Sequence, residues 1–327
     1  MRAVVCAELG PGDGEKLRLD TDWPVPELGE NDILIDVKAA GLNFPDVLLI
    51  QGKYQIQPDL PFIPGGECSG VVEAVGDKVT RFKPGDEVIS MAQIGGFCDK
   101  AVAHEMAAFP KPSALSFEEA AGIAITYFTS YYALKQRAQL KEGETLLVLG
   151  AAGGVGTTAV ELGKLMGAKV IAAASSDEKL EICKQLGADE VINYSEQNLK
   201  EAIKELTGGK GVDVVYDPVG GDYSEQALRG MGWNGRFLVI GFAAGPIPSV
   251  SLNLALLKGC SIVGVFWGRF TMEEPEVNLA NINELWELFE AGKIKPVVTD
   301  CFPVEQYREA FTCMSERRAR GKVILTF

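Results

Sequence analysis

The sequence predicts an α/β fold, a doubly wound parallel sheet carried together with a smaller β-rich domain. Three observations support this. The run LLVLGAAGGVGTTAVELGKLMGAKVIAAASS, Leu146 to Ser176, reads as strand, glycine-rich turn, helix and second strand. Strand-like and helical segments keep alternating after it to about residue 264, the pattern of a parallel sheet with crossover helices. Ahead of it, from Met1 to about Glu119, short β-rich runs are broken by turn residues, as in an antiparallel domain.

Each element has its own warrant. In the first stretch, strands are expected at Ile33 to Leu42, Ser69 to Gly76 and Asp86 to Met91, the last preceded by the turn KPG. In the second, Leu146 to Leu149 is a short apolar run suited to a buried parallel strand, and Val170 to Ala174 is its successor. VDVVYDPVG (Val212 to Gly220), RFLVIGF (Arg236 to Phe242) and CSIVGVF (Cys260 to Phe266) read as the fourth, fifth and sixth strands. Beyond them INELWELFEAGKI is an amphipathic helix, with Leu285, Leu288 and Phe289 at helical spacing and Gly292 at its end. The apolar terminal strand KVILTF needs a sheet to join, and the β-rich first third is its natural host. The expected division is 1–120, completed by 265–327, around a nucleotide-binding domain at 121–264. A chain of 327 residues exceeds the size at which one core keeps growing, which agrees with two domains.

Four glycines fall between Gly150 and Gly156, between the strand and the helix, and this is the signature of a dinucleotide site. Gly153 lets the backbone approach a pyrophosphate, Gly156 permits close packing of helix on strand, and the N–H groups that open the helix face negative charge. An Asp or Glu about 20 residues beyond the glycines would select NAD. Here the residue at the end of the next strand is Ser175, and Lys179 supplies a cation near it, so NADPH is favoured. Asp177 and Glu178 follow directly, and either carboxylate turned inward would reverse the preference.

Composition removes other classes. A net charge of −14 opposes binding to nucleic acid or anionic membranes, and no apolar run is long enough to span a bilayer, so a cytoplasmic protein is expected. Seven scattered cysteines without a CxxC pair suit a reducing compartment and packing roles. The exception to the acidic surface is SERRARGK, where Arg317, Arg318, Arg320 and Lys322 form either a solvated helix end or a site for an anionic group. His104, the single histidine, has no thiol or second imidazole near it in sequence and is expected at the surface or in a cap.

GLNFPDVLLIQGKY, PFIPGGECSGVVEAVG, FKPGDEV, GAAGGVGTTAVELGK, GADEVINY and the closing GKVILTF resemble the medium-chain dehydrogenase/reductase superfamily, in its zinc-independent quinone oxidoreductase branch, over essentially the whole chain. The resemblance implies a Rossmann domain packed against a GroES-like catalytic domain, with the active site in the cleft between them. Zinc-dependent relatives carry a Cys, a His in a GHE motif and a second Cys where this chain has Asn43, Gly66 and Ile125, so no metal is expected. Glu67 keeps the family's carboxylate, in a structural role. Without a Lewis acid, alcohol oxidation loses its main aid, whereas hydride addition to a quinone or an α,β-unsaturated carbonyl needs only hydrogen-bond donors for a delocalised oxyanion.

The resemblance also distributes roles. Asn43 orients the nicotinamide ribose or donates to the oxyanion; Tyr54 is an aromatic wall or a proton donor; Arg269 steers a quinone oxygen or is an exposed cation. Thr129, Gly153, Gly154, Val155, Ser175, Lys179, Tyr194, Phe242, Ala243, Ala244, Phe266 and Trp267 are the expected cofactor residues, the aromatics having a core reading beside the cofactor one. Pairing of the apolar edge segment Cys260 to Phe266 with its copy predicts a homodimer. A small electrophilic acceptor is the expected partner, with an enoyl-CoA reductase and a low-turnover NADPH-binding module as alternatives.

Overall fold

The computed structural model describes residues 1–327, which divide into two compact units: Met1–Ile125 with Trp286–Phe327, and Thr126–Leu285. The first unit begins with β1 (Ala3–Cys6) and β2 (Leu17–Asp20), an antiparallel pair. Next come β3 (Asp32–Leu42), β4 (Glu67–Val75), β5 (Glu87–Met91), β6 (Lys100–His104) and β7 (Ala108–Pro110). Period-two patterning is plain in β3, where Ile33, Ile35 and Val37 are buried and Leu34, Asp36 and Lys38 are half-buried.

The second unit holds β8 (Thr145–Leu149), β9 (Lys169–Ala174), β10 (Glu190–Asn193), β11 (Val212–Asp217), β12 (Met231–Val239) and β13 (Ser261–Gly264). They form one six-stranded sheet in the order β10-β9-β8-β11-β12-β13, parallel throughout. The chain runs outward from β8 through β9 to β10, then crosses to β11 on the other side of β8. That reversal opens a crevice at the carboxyl ends of β8 and β11, where open α/β sheets bind ligands.

The chain then returns to the first unit through β14 (Val298–Pro303) and β15 (Lys322–Thr326). As its apolar content demanded, β15 finds a host: it pairs antiparallel with β3, Val323 opposite Leu42 and Ile324 opposite Gly41. The resulting sheet runs β14-β15-β3-β4-β5-β7, with β6 also on β3.

Some boundaries differ from the sequence expectation. β11 stops at Asp217 because Pro218 has no N–H to continue the ladder. β12 ends at Val239, and Ile240 to Phe242 enter a loop held by backbone bonds from Ile240 and Gly241 to the Asp217 carbonyl. β13 is cut to Ser261–Gly264, since Phe266 caps a helix, Trp267–Glu273. Residues 265 to 285, expected with the carboxyl-terminal tail, lie in the second unit. Rings fix them there: Trp267 meets Phe128 at 5.7 Å and Phe270 stacks on Tyr132 at 4.0 Å. Bonds from Tyr131 and Lys135 to Glu284 add to this. No helix is long and apolar enough to cross a membrane.

Candidate active site

In the second unit the glycine turn delivers what its composition implies. Gly153 is the N-cap of the helix Gly154–Leu165, whose opening N–H groups lack acceptors inside the helix. A side chain at Gly156 would collide with backbone, the Gly150 carbonyl and Ala151, whereas at Gly153 it would meet only the Gly150 oxygen, at 3.3 Å. Gly156 therefore sets the packing and Gly153 leaves a bare surface. A buried hydroxyl group braces the turn from beneath: Ser130 Oγ lies 3.1 Å from the Val155 carbonyl, 2.7 Å from Thr158 Oγ1 and 2.8 Å from Tyr216 OH. Thr129 is the neighbouring, half-buried residue of that supporting helix.

At the end of β9, Lys179 Nζ donates to Ser175 Oγ at 3.3 Å. Tyr194 follows β10, and its N–H bonds the Ala174 carbonyl at 3.1 Å, which brings it beside Ser175. Its ring rests on Tyr223, centroids 4.4 Å apart. Asp177, the carboxylate able to reverse the cofactor preference, is exposed and accepts a bond from Asn193 Nδ2 at 2.9 Å; Glu178 is exposed. The bare turn, the amine and the hydroxyl together fit a phosphorylated dinucleotide.

Beyond β11 and β12, the Asp217 carboxylate accepts from Val219 N and Gly220 N at 2.8 Å and from Ser224 Oγ at 2.6 Å. This buried group, its pKa raised by burial, shapes the loop against which Ala243 N and Ala244 N bond the Pro218 and Val219 carbonyls. Phe242 lies beside Gly220, where a side chain would meet its ring at 3.0 Å. Phe266 is exposed, and the half-buried Trp267 packs on Phe128 and donates Nε1 to Asn278 at 3.0 Å. Arg269 is 67% exposed and pairs with Glu273 one turn away at 3.0 Å, the geometry of a solvated cation.

The first unit contains a buried acid–amide cluster. Asn43, Asp46, Glu67 and Lys322 are 5%, 1%, 2% and 4% exposed. Asn43 Nδ2 donates to Glu67 Oε1 at 2.8 Å and to the Gly41 carbonyl at 3.1 Å, and Asn43 Oδ1 accepts from Lys322 Nζ at 2.7 Å. Lys322 Nζ also reaches Glu67 Oε1 at 2.8 Å, while Ile125 N donates to Glu67 Oε2 at 3.0 Å. With both amide hydrogens engaged, Asn43 has none left for an oxyanion, one of its two expected roles. Lys322 leaves the exposed basic run altogether, and Arg318 there pairs with Glu316 at 2.8 Å.

Asp46, in the same cluster, accepts from Asn43 N at 2.8 Å and Gly65 N at 3.2 Å. Burial pushes its pKa up to about 7, against the pull of the Asn43 N–H and the Lys322 charge. Tyr54 is half-buried; burial and then the Asp46 charge hold its phenol above its usual value. Sequence reasoning passed over Asp46, although its place three residues after Asn43, at the start of the helix Phe44–Ile50, is a capping spacing.

A zinc ion does not fit here. Asn43, Gly66 and Ile125 offer no thiolate or imidazole, and the Lys322 ammonium already occupies the cationic position beside Glu67. No group of three or more His, Cys, Asp or Glu side chains is arranged to hold a metal. His104 instead caps a short turn, accepting from Met106 N at Nδ1, 3.2 Å away.

The strand order and the glycine turn at the switch point define a dinucleotide-binding domain. Residues 154–284 match the family model described as zinc-binding dehydrogenase, and residues 29–143 match the alcohol dehydrogenase GroES-like domain. A quinone oxidoreductase-like protein 2 homolog of Nematostella vectensis is 40% identical over 99% of this chain and 88% of its own length. The Escherichia coli quinone oxidoreductase solved with NADPH superposes with a TM-score of 0.91 at 31% identity, covering 100% of both chains. A mycobacterial protein solved with NADPH gives a TM-score of 0.92 at 30% identity, again over 100% of both. The chain belongs to the medium-chain dehydrogenase/reductase superfamily, in its quinone oxidoreductase branch.

The Asp46 geometry has a consequence for stability. A carboxyl whose pKa is raised by folding stabilises the fold fully below its unfolded value, and that contribution is lost as pH rises through about 7. Between about pH 5 and about pH 8 the thermal midpoint of the wild type should therefore fall relative to that of Asp46→Asn. A gap independent of pH would contradict a raised Asp46.

Proposed function

We propose that this protein is an NADPH-dependent oxidoreductase that passes hydride to a quinone or an α,β-unsaturated carbonyl without a metal. The observation that carries this reading is the Lys179–Ser175 pair, 3.3 Å apart, where an NAD-selective site would place an acidic side chain. NADPH supplies the hydride when bound.

In this reading Gly153, whose own N–H is spent on the Gly150 carbonyl at 2.9 Å, leaves room for the pyrophosphate beside the backbone of Gly154 and Val155, and Ser175, Lys179 and Tyr194 hold the 2′-phosphate. Thr129, Phe242, Ala243 and Phe266 bound the nicotinamide half. Asn43, its amide hydrogens spent, serves through the second lone pair of Oδ1, as acceptor for a ribose hydroxyl. Tyr54 carries its proton at neutral pH as any phenol does, and burial, which holds its pKa above the usual value, keeps it a hydrogen-bond donor for the acceptor's oxygen. An acyl-CoA acceptor would instead call on Arg317, Arg318 and Arg320 of the ERRAR run for its phosphates, and of these Arg318 pairs with Glu316 at 2.8 Å.

We also propose a homodimer formed through β13. Ile262 is 43% exposed on this edge strand, and Leu256 and Leu257, in the helix that precedes it, are 79% and 71% exposed. Unpaired strand edges flanked by apolar side chains are normally covered.

Loss of one charge-assisted hydrogen bond, worth about 1.5–3 kcal/mol, should raise KM for NADPH in Lys179→Ala by roughly 10- to 100-fold. KM for NADH should change by less than about twofold, in steady-state assays with a benzoquinone and an enone. Equal effects on both nucleotides would refute the 2′-phosphate site. Sedimentation at micromolar concentration should show a dimer that Ile262→Asp dissociates, and a monomeric wild type would rule out the edge pairing.

A further inference from the structure

An ammonium group has three hydrogens, and Lys322 directs them at three separate oxygens: the Leu42 carbonyl at 3.2 Å, Asn43 Oδ1 at 2.7 Å and Glu67 Oε1 at 2.8 Å. The Asn43 carboxamide is thereby fixed in one orientation. Rotating it by half a turn would set its NH2 against the ammonium and its oxygen against the Glu67 carboxylate, donor on donor and acceptor on acceptor. The surroundings are shaped to the same arrangement. A side chain at Gly122 would press on the Lys322 stem at 3.0 Å, and one at Gly41 would come within 2.8 Å of Glu67 Oε1.

We propose that Lys322 is the resident cation of this site and a positioning residue for hydride transfer: it balances Glu67 and locks the Asn43 carboxamide, work for which this chain offers a metal no ligands. The positioning part rests on the reading above, in which Asn43 meets the cofactor. Lys322 itself is buried, and its three N–H groups are all taken by oxygens of the protein. Its effect is exerted through the direction in which Asn43 Oδ1 points. Glu67 is the counter-charge, and a neutral pair in place of both groups would restore charge balance without restoring the lock.

The test is a double-variant cycle of Lys322→Met, Glu67→Gln and the two combined. Lys322→Met leaves a buried carboxylate unpaired and should lower the thermal midpoint by about 10 °C. Combining it with Glu67→Gln should return at least half of that loss, so the neutral double variant provides a folded protein even where the single one is poorly folded. In wild type the Asn43 side-chain amide protons, followed by NMR, should persist in heavy water. They should exchange rapidly in both variants lacking Lys322. With NADPH and a quinone, kcat should fall about tenfold or more in those same two variants while KM for NADPH stays within about twofold. Wild-type kcat in the double variant, unchanged amide protection, or no recovery of the midpoint on adding Glu67→Gln would each overturn the proposal. A wild type that oxidises no NADPH with either a benzoquinone or an enone would instead defeat the hydride-transfer reading, and the midpoint and amide measurements would still decide the role of Lys322.

Discussion

One buried ammonium ties the two ends of the first unit together. Lys322 and Glu67 are 255 positions apart in sequence, yet Nζ and Oε1 stand 2.8 Å apart with both side chains out of water. Removing one partner of such a pair costs about 3–5 kcal/mol, because the other charge is left buried and alone. The contact depends on strand register. With Val323 opposite Leu42, the residue before Val323 falls beside Asn43, and a slip of one position would turn Lys322 to the other face of β15. The apolar run Val323, Ile324 and Leu325, fully buried, holds that register. Placement of Asn43 and Glu67 is thus inseparable from the docking of the last strand.

Local features were legible in the sequence and nonlocal ones were not. The glycine turn could be read because its demands are satisfied within seven residues, Gly150 to Gly156, by backbone conformation and close approach alone. Most strands were readable for a similar reason, period-two patterning in β3 and continuous apolar runs in β8 and β9. Lys322 was not, because in sequence it is one basic residue among several in ERRARGK, and only pairing of β15 with β3 takes it inside while Arg318 remains outside. Trp267 shows the converse. A strand-end aromatic suggests a ligand wall, but a helix starts there and carries the ring onto Phe128.

The nucleotide half works against the overall electrostatics of the chain. A net charge of −14 repels a polyanion at long range, so affinity has to come from short-range groups. In the proposed site the opening N–H groups of the helix at Gly154 and the Lys179 amine are such groups, the first just after β8 and the second just after β9. Asp177, the carboxylate nearest Ser175 in sequence, is engaged by Asn193. Buried polar groups beneath this surface, Ser130 with Tyr216 and Asp217 with Ser224, fix the loops that carry it. Preorganisation of this kind spares the binding step the entropy of ordering those loops.

The most direct test of metal-free hydride transfer is a single-turnover experiment on protein treated with a strong chelator and shown by elemental analysis to hold no zinc. Mixed with NADPH and a benzoquinone, it should lose nicotinamide absorbance at the rate of untreated protein, and added zinc should not accelerate the reaction. A rate abolished by chelation and restored by one equivalent of zinc would contradict the account.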